Sequence, residues 1–192
     1  MEKGRLEAFS DGVVAIIITI MVLELRPPHE ATLEAIRPLL PLFAAYVLSF
    51  VFVGIYWNNH HHLLHATRTV NGPILWANLH LLFWLSLFPF ATAWIGESHV
   101  GSIPVAVYGA IQMMAAIAYT ILALLLVRHE GADSAIAQAI GADLKGKASL
   151  GLYALGIGLS FVKPVFGIAC YVVVALIWFI PDRRIERQLQ AK

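Results

Sequence analysis

Six mostly apolar stretches divide the chain, running from Phe9 to Leu25, Leu39 to Trp57, Ile74 to Ile95, Ile103 to Val127, Ala148 to Val162 and Pro164 to Ile180. A bilayer core of about 30 Å takes roughly 20 apolar residues as helix, and shorter spans are tolerated where helices are broken or packed. The residues between the stretches are those that helix ends favour: Pro27 and Pro28, Asn71-Gly72-Pro73, Gly101 to Pro104, and Lys163-Pro164. The pattern therefore predicts an all-α, polytopic membrane protein with six transmembrane helices in one domain covering residues 1–192, with no internal repeat. The segment from His129 to Lys147 contains "DSAIAQAIGADL". It fits either a short interfacial helix or an extension of the fourth span.

Composition agrees with this pattern. The chain is 59% hydrophobic and only 13% charged, which is too apolar for a soluble domain of 192 residues. A formal net charge of +1 with scattered basic residues leaves no polyanion-binding surface, so nucleic acid is excluded as a partner. The single cysteine, Cys170, allows neither an internal disulfide nor a Cys-rich metal site. Lys3 and Arg5 precede the first apolar run as they would in a signal peptide. The internal Asp11, and Pro27-Pro28 where a small-residue cleavage site is expected, argue against that reading.

Lys and Arg are unevenly divided between the two ends of the spans. If both termini share one side, that side holds Lys3, Arg5, Arg68, Arg128, Lys145, Lys147, Arg183, Arg184, Arg187 and Lys192, leaving only Arg26, Arg37 and Lys163 opposite. Both termini are therefore expected in the cytoplasm.

This orientation brings the conspicuous polar residues to one depth. Asp11, the stretch Asn58, Asn59, His60, His61, His62 and His65, and Asn78 and His80 at the start of the third span all fall at the cytoplasmic end. A carboxylate facing lipid costs a few kcal/mol on insertion scales, so Asp11 is expected to turn inward and find donors, with Arg5, Ser10 and the histidines in reach. The simplest reading is a structural hydrogen-bond layer locking the first helix to its neighbours. A proton relay is the sharper alternative, since histidine titrates in the useful range. A metal site is a third, because His61 and His65 share a helical face. Three consecutive histidines nevertheless point in different directions, and no Cys or placed carboxylate completes a tetrahedral set.

Beyond Asp11, "GVVAIIITIMVL" puts Ile16, Thr19, Ile20 and Leu23 at i, i+3, i+4 and i+7, one face of a helix. Every neighbour is apolar too, so periodicity alone is satisfied by an ordinary packed or lipid-facing helix. If several copies of this helix surrounded an axis, however, the axis would meet rings of branched aliphatic side chains and one hydroxyl, a constriction able to gate by dewetting. "PVAVYGA", Pro104 to Ala110, faintly echoes a carbonyl selectivity filter. It lies inside an apolar span with no preceding pore helix, where unpaired backbone is not tolerated.

Arg5-x-x-x-Phe9-Ser10-Asp11, running on into "GVVAIIITIMVL", resembles the signature of the transmembrane protein 175 family of potassium channels. Trp57-x-x-His60-His61 and Asn78-Leu79 with Pro89 resemble further family positions more loosely, and the last three spans agree in number and hydropathy only. The resemblance implies a single-repeat subunit of a homotetramer in the cell membrane, conducting potassium ions with modest selectivity and needing no cofactor. It implies that the first helix of each subunit lines the pore. Ile16 would then form the hydrophobic constriction and Thr19 the hydroxyl ring tied to selectivity, with Leu23 and Ile20 further out. Arg5, Ser10 and Asp11 would hold helices together rather than touch the ion, in a structural layer with Phe9, Trp57, His60, His61 and Asn78. Animal members carry two repeats and have been linked to proton permeation.

Three function classes therefore stand. A potassium-permeable channel leads, and a proton-permeable channel or secondary transporter follows. The absence of internal repeats and of clearly broken helices speaks against the usual transporter design. A membrane metalloenzyme comes last, for want of an HExxH motif or a mixed acid–base pocket.

Overall fold

The computed structural model describes residues 3–131, 133–134, 136–137 and 143–179. Among these residues the regular structure is helical throughout: α1 (Gly4–Leu23), a 3-10 segment (Glu34–Leu39), α2 (Leu40–His65), α3 (Gly72–Ser86), α4 (Phe88–Glu97), α5 (Ser102–Glu130), α6 (Leu144–Ser160) and α7 (Pro164–Phe179). Four stretches are long and apolar enough to cross a membrane, namely α1, the 3-10 segment with α2, α3 with α4, and α5, while α7 is a shorter apolar helix.

Local chemistry fixes the ends. Asn71 caps α3 by accepting the Ile74 N–H at 3.1 Å, with Pro73 supplying a preset φ in the first turn. The Asp143 side chain accepts the Gly146 N–H at 3.0 Å and caps α6. Gly131, at φ 98°, ends α5 in a backbone region that residues with a Cβ rarely adopt. α5 thus takes in only His129 and Glu130 of the segment that follows the fourth span. Half of "DSAIAQAIGADL" lies outside the described residues, as do Ile180 and the basic residues Arg183, Arg184, Arg187 and Lys192.

Three boundaries differ from the sequence expectation. The first helix begins at Gly4, so Asp11 stands well inside it rather than at its entrance. The second helix does not stop at Trp57 but runs on to His65, because nothing before Asn71-Gly72-Pro73 breaks a helix and Asn59 turns its amide back onto the Ile55 carbonyl at 2.8 Å. The third span is two helices meeting at Leu87. Pro89 has no N–H to continue the ladder and its ring excludes the preceding turn's carbonyl, so it sits instead in the first turn of α4.

α5 is the central element, in contact with α3, α4, α6 and α7. The Ser49 hydroxyl joins α2 to Thr92 of α4 at 2.7 Å and to Tyr108 of α5 at 2.9 Å, all three buried. Tyr171 of α7 donates to the Val105 carbonyl at 3.2 Å and lies against Gly109 and Gly156, positions where a Cβ would strike its ring. Residues 104–110 are thus regular helix within α5, with Tyr108 buried and bonded, and form no extended loop. α1, by contrast, stands at the edge of the bundle and packs on α2, α3 and α4.

Candidate functional site

α1 has two unlike faces. Leu6, Ser10, Val14, Ile17 and Met21 form its buried stripe, recurring at helical spacing against the neighbouring helices. Ile17 is 3% and Met21 1% exposed, whereas Ile16 and Leu23 on the other side are 59% and 71% exposed. Thr19 and Ile20 share that open face. The Thr19 hydroxyl donates to the Ala15 carbonyl at 2.8 Å. Its proton is therefore committed to the helix, and its lone pairs face outward.

The N-terminal half of α1 is tied down by side-chain hydrogen bonds. Ser10 donates to the Leu6 carbonyl at 2.8 Å, Asn78 Nδ2 donates to Ser10 Oγ at 2.9 Å, and Asn78 Oδ1 is 2.6 Å from His60 Nε2. With the Asn78 amide oriented by Ser10, its oxygen must accept, which assigns the proton to His60 Nε2. All three side chains are buried, so α1, α2 and α3 share one closed chain of polar groups. Removing Asn78 would leave His60 Nε2 without its partner in an apolar setting and the Ser10 hydroxyl with the Leu6 carbonyl alone.

Asp11 is where expectation and structure part. It does not turn inward to Arg5, Ser10 or a histidine. It is exposed in the single chain, and its Oδ1 accepts the indole N–H of Trp57 at 2.9 Å. The reason is rotational: Ser10 points into the bundle, and the next residue along a helix is about 100° away, towards the adjacent α2. The Trp57 ring stacks on His61, with centroids 5.9 Å apart, and His61 stacks on His65 at 6.0 Å. The structure thus brings Ser10, His60 and Asn78 together, and Asp11, Trp57 and His61 beside them. Arg5 and Phe9 are not drawn in, and both are exposed on α1.

The described residues contain no group of three or more His, Cys, Asp or Glu side chains able to hold a metal ion. One anchoring residue escapes the sequence reading, which weighed Lys3 for topology and for a signal peptide but not as a contact. Its ammonium reaches the carbonyls of Leu64 and His65 at the end of α2, at 2.9 and 3.0 Å. No local pattern announces a contact between residues about sixty positions apart. The exposed carbonyls of a helix end are the one general signal for it.

Residues 5–89 match the family described as the endosomal/lysosomal potassium channel TMEM175, a span that includes α1, α2 and α3. A potassium channel from Chryseobacterium sp. (strain P1-3) is 58% identical over 190 residues, 99% of each chain. The crystal structure of a lysosomal potassium-selective channel TMEM175 homolog from Chamaesiphon minutus superposes with a TM-score of 0.80 at 28% identity, covering 93% of this chain and 96% of that one. The endosomal/lysosomal proton channel TMEM175 of Gallus gallus is 37% identical over 81 residues, 35% of this chain and 16% of its own length.

Proposed function

The chain belongs to the TMEM175 family, and from that premise we propose that α1 walls a potassium-permeable pore built from four copies of the chain. The observation that carries this reading is the open stripe on α1. A membrane-length helix at the edge of its bundle presents Ile16, Thr19, Ile20 and Leu23 outward while its opposite stripe is packed. Around an axis, Ile16 forms an apolar ring that water leaves readily, and Thr19 offers hydroxyl lone pairs to a partly dehydrated cation. With no stacked carbonyls, discrimination rests on side chains and hydration, so selectivity for potassium over sodium is modest. The subunit crosses the cell membrane six times with both termini in the cytoplasm, as the Lys and Arg distribution favours. Asp11 supports the helix rather than binding the ion, since an indole N–H holds its carboxylate.

Purified protein in liposomes tests this directly. Potassium is expected to move down its own gradient with no second ion required, and sodium to move more slowly. Strict dependence on a coupled gradient would mean a transporter. Ile16→Asn wets the constriction and raises leak, by about tenfold for each 1.4 kcal/mol taken off the barrier; an unchanged flux removes Ile16 from the pore. Proton permeation is a second reading, favoured by the animal relatives, which are endosomal/lysosomal proton channels. A pH-sensitive dye inside the same liposomes distinguishes it from potassium flux.

A further inference from the structure

The polar tethers of α1 all lie at its N-terminal end or in its N-terminal half. Ser10 and Asp11 hold it from the side, while Lys3, at its N-terminal boundary, holds it from below. Beyond Asp11 the buried stripe of Val14, Ile17 and Met21 is apolar, so packing without hydrogen bonds keeps the outer part in place.

The last carbonyls of α2 show what Lys3 does. An α-helix leaves its final four carbonyls without helical partners. The His62 carbonyl receives the Ala66 N–H at 3.2 Å, Leu63 receives the Thr67 hydroxyl at 3.0 Å, and Leu64 receives the Thr67 N–H at 3.0 Å. Lys3 Nζ completes the set by donating to Leu64 at 2.9 Å and His65 at 3.0 Å. These are charge-assisted bonds, and the ammonium sits at the negative end of the α2 dipole. Glu7, one turn along α1, is 3.7 Å from the same ammonium, both side chains being partly exposed. An ion pair of that length in partial contact with water contributes little by itself. It does keep the lysine on the α1 side of the contact.

We propose that Lys3 is a positioning residue for the conducting helix: by fastening the start of α1 to the carbonyl end of α2 it sets where the Ile16 ring sits. The proposal rests on the reading of α1 as the pore wall. Ile16 lies about 20 Å along the helix from Lys3 at 1.5 Å per residue, so a small tilt at the tether becomes a displacement at the constriction. Lys3 makes no contact with the permeant ion. Its removal changes how often the ring is open and leaves unaltered what passes through it.

The test uses the full chain with Lys3→Met, Lys3→Arg and Lys3→Glu. In single-channel recordings Lys3→Met shifts open probability by about threefold or more, with unit conductance and the potassium-to-sodium permeability ratio unchanged. Lys3→Arg restores the wild-type value, because a guanidinium also donates to two carbonyls, and Lys3→Glu shifts it further than Lys3→Met. Amide hydrogen exchange is read in parallel, and the first two turns of α1 exchange about tenfold faster in Lys3→Met, while α5 does not change. Unchanged exchange in Lys3→Met overturns the proposal, as does faster exchange with an unaltered open probability. A wild-type protein that passes no potassium sinks the pore reading instead, and the exchange measurement still decides whether the tether exists.

Discussion

Asn78 is the residue on which the anchor turns. It is fully buried, its amide nitrogen serves Ser10 and its oxygen serves His60, so it connects three helices with two hydrogen bonds. Asn78→Leu keeps the branched shape but takes away the partner of His60 Nε2 and leaves the Ser10 hydroxyl with the Leu6 carbonyl alone. Inter-helix hydrogen bonds in membrane proteins are individually worth about 0.6 kcal/mol and up to about 1.7, and orphaned groups add their own penalty. We expect thermal unfolding in detergent to show a loss of about 1–3 kcal/mol. The triple change Ser10→Ala, His60→Leu, Asn78→Leu recovers most of it, because an apolar layer has nothing left to satisfy. A triple variant less stable than the single one would mean that the network contributes more than partner satisfaction. The sequence showed that Ser10, His60 and Asn78 share one depth. It could not show which pairs close, since the partners lie 18 and 68 positions apart. Asp11 illustrates the limit: the nearest candidate donors in sequence were the wrong ones, and its true partner, Trp57, was on the neighbouring helix.

Helix existence was legible from hydropathy, because a membrane-length apolar run has few other ways to satisfy its backbone. Helix faces were not. Ile16, Ile17 and Ile18 are identical in chemistry, yet Ile17 is buried and Ile16 open, a distinction decided by what α2, α3 and α4 cover. Small residues carry part of the missing information, as Gly109 shows. A Cβ added there would run into the Tyr171 hydroxyl and ring, so α5 and α7 approach as closely as they do because that position has no side chain. Gly109→Ala forces the two helices apart or turns Tyr171 out of its site, an overpacking cost of about 1–3 kcal/mol read as a lower unfolding temperature. Tyr171→Leu in the same chain removes the obstructing ring and restores part of the loss. If Gly109→Ala unfolds at the wild-type temperature, the close approach does not stabilise the bundle.

At the scale of the whole molecule, the open stripe of α1 makes one demand that no single residue makes. A lone subunit leaves Phe9, Ile16, Ile20 and Leu23 uncovered, and also apolar side chains elsewhere, such as Phe83 on α3 and Ile121 on α5. Lipid satisfies all of these equally, so exposure alone does not separate a pore wall from a lipid face. Water access does. With Cys170 replaced by Ser, single cysteines at Thr19 and Leu23 are expected to react with a charged, membrane-impermeant thiol reagent and to block potassium flux. Cysteines at Phe83 and Ile121 stay unreacted, because their thiols meet hydrocarbon, where the reactive thiolate does not form. Cysteines at Ile17 and Met21 stay silent for a different reason, being buried inside the subunit. Reaction at Thr19 but not at Phe83, with flux lost in proportion, places the aqueous path on the Ile16 face of α1. No reaction at Thr19 or Leu23, as at Phe83, would mean that the stripe is one more lipid-facing surface and that the conducting path lies elsewhere in the assembly.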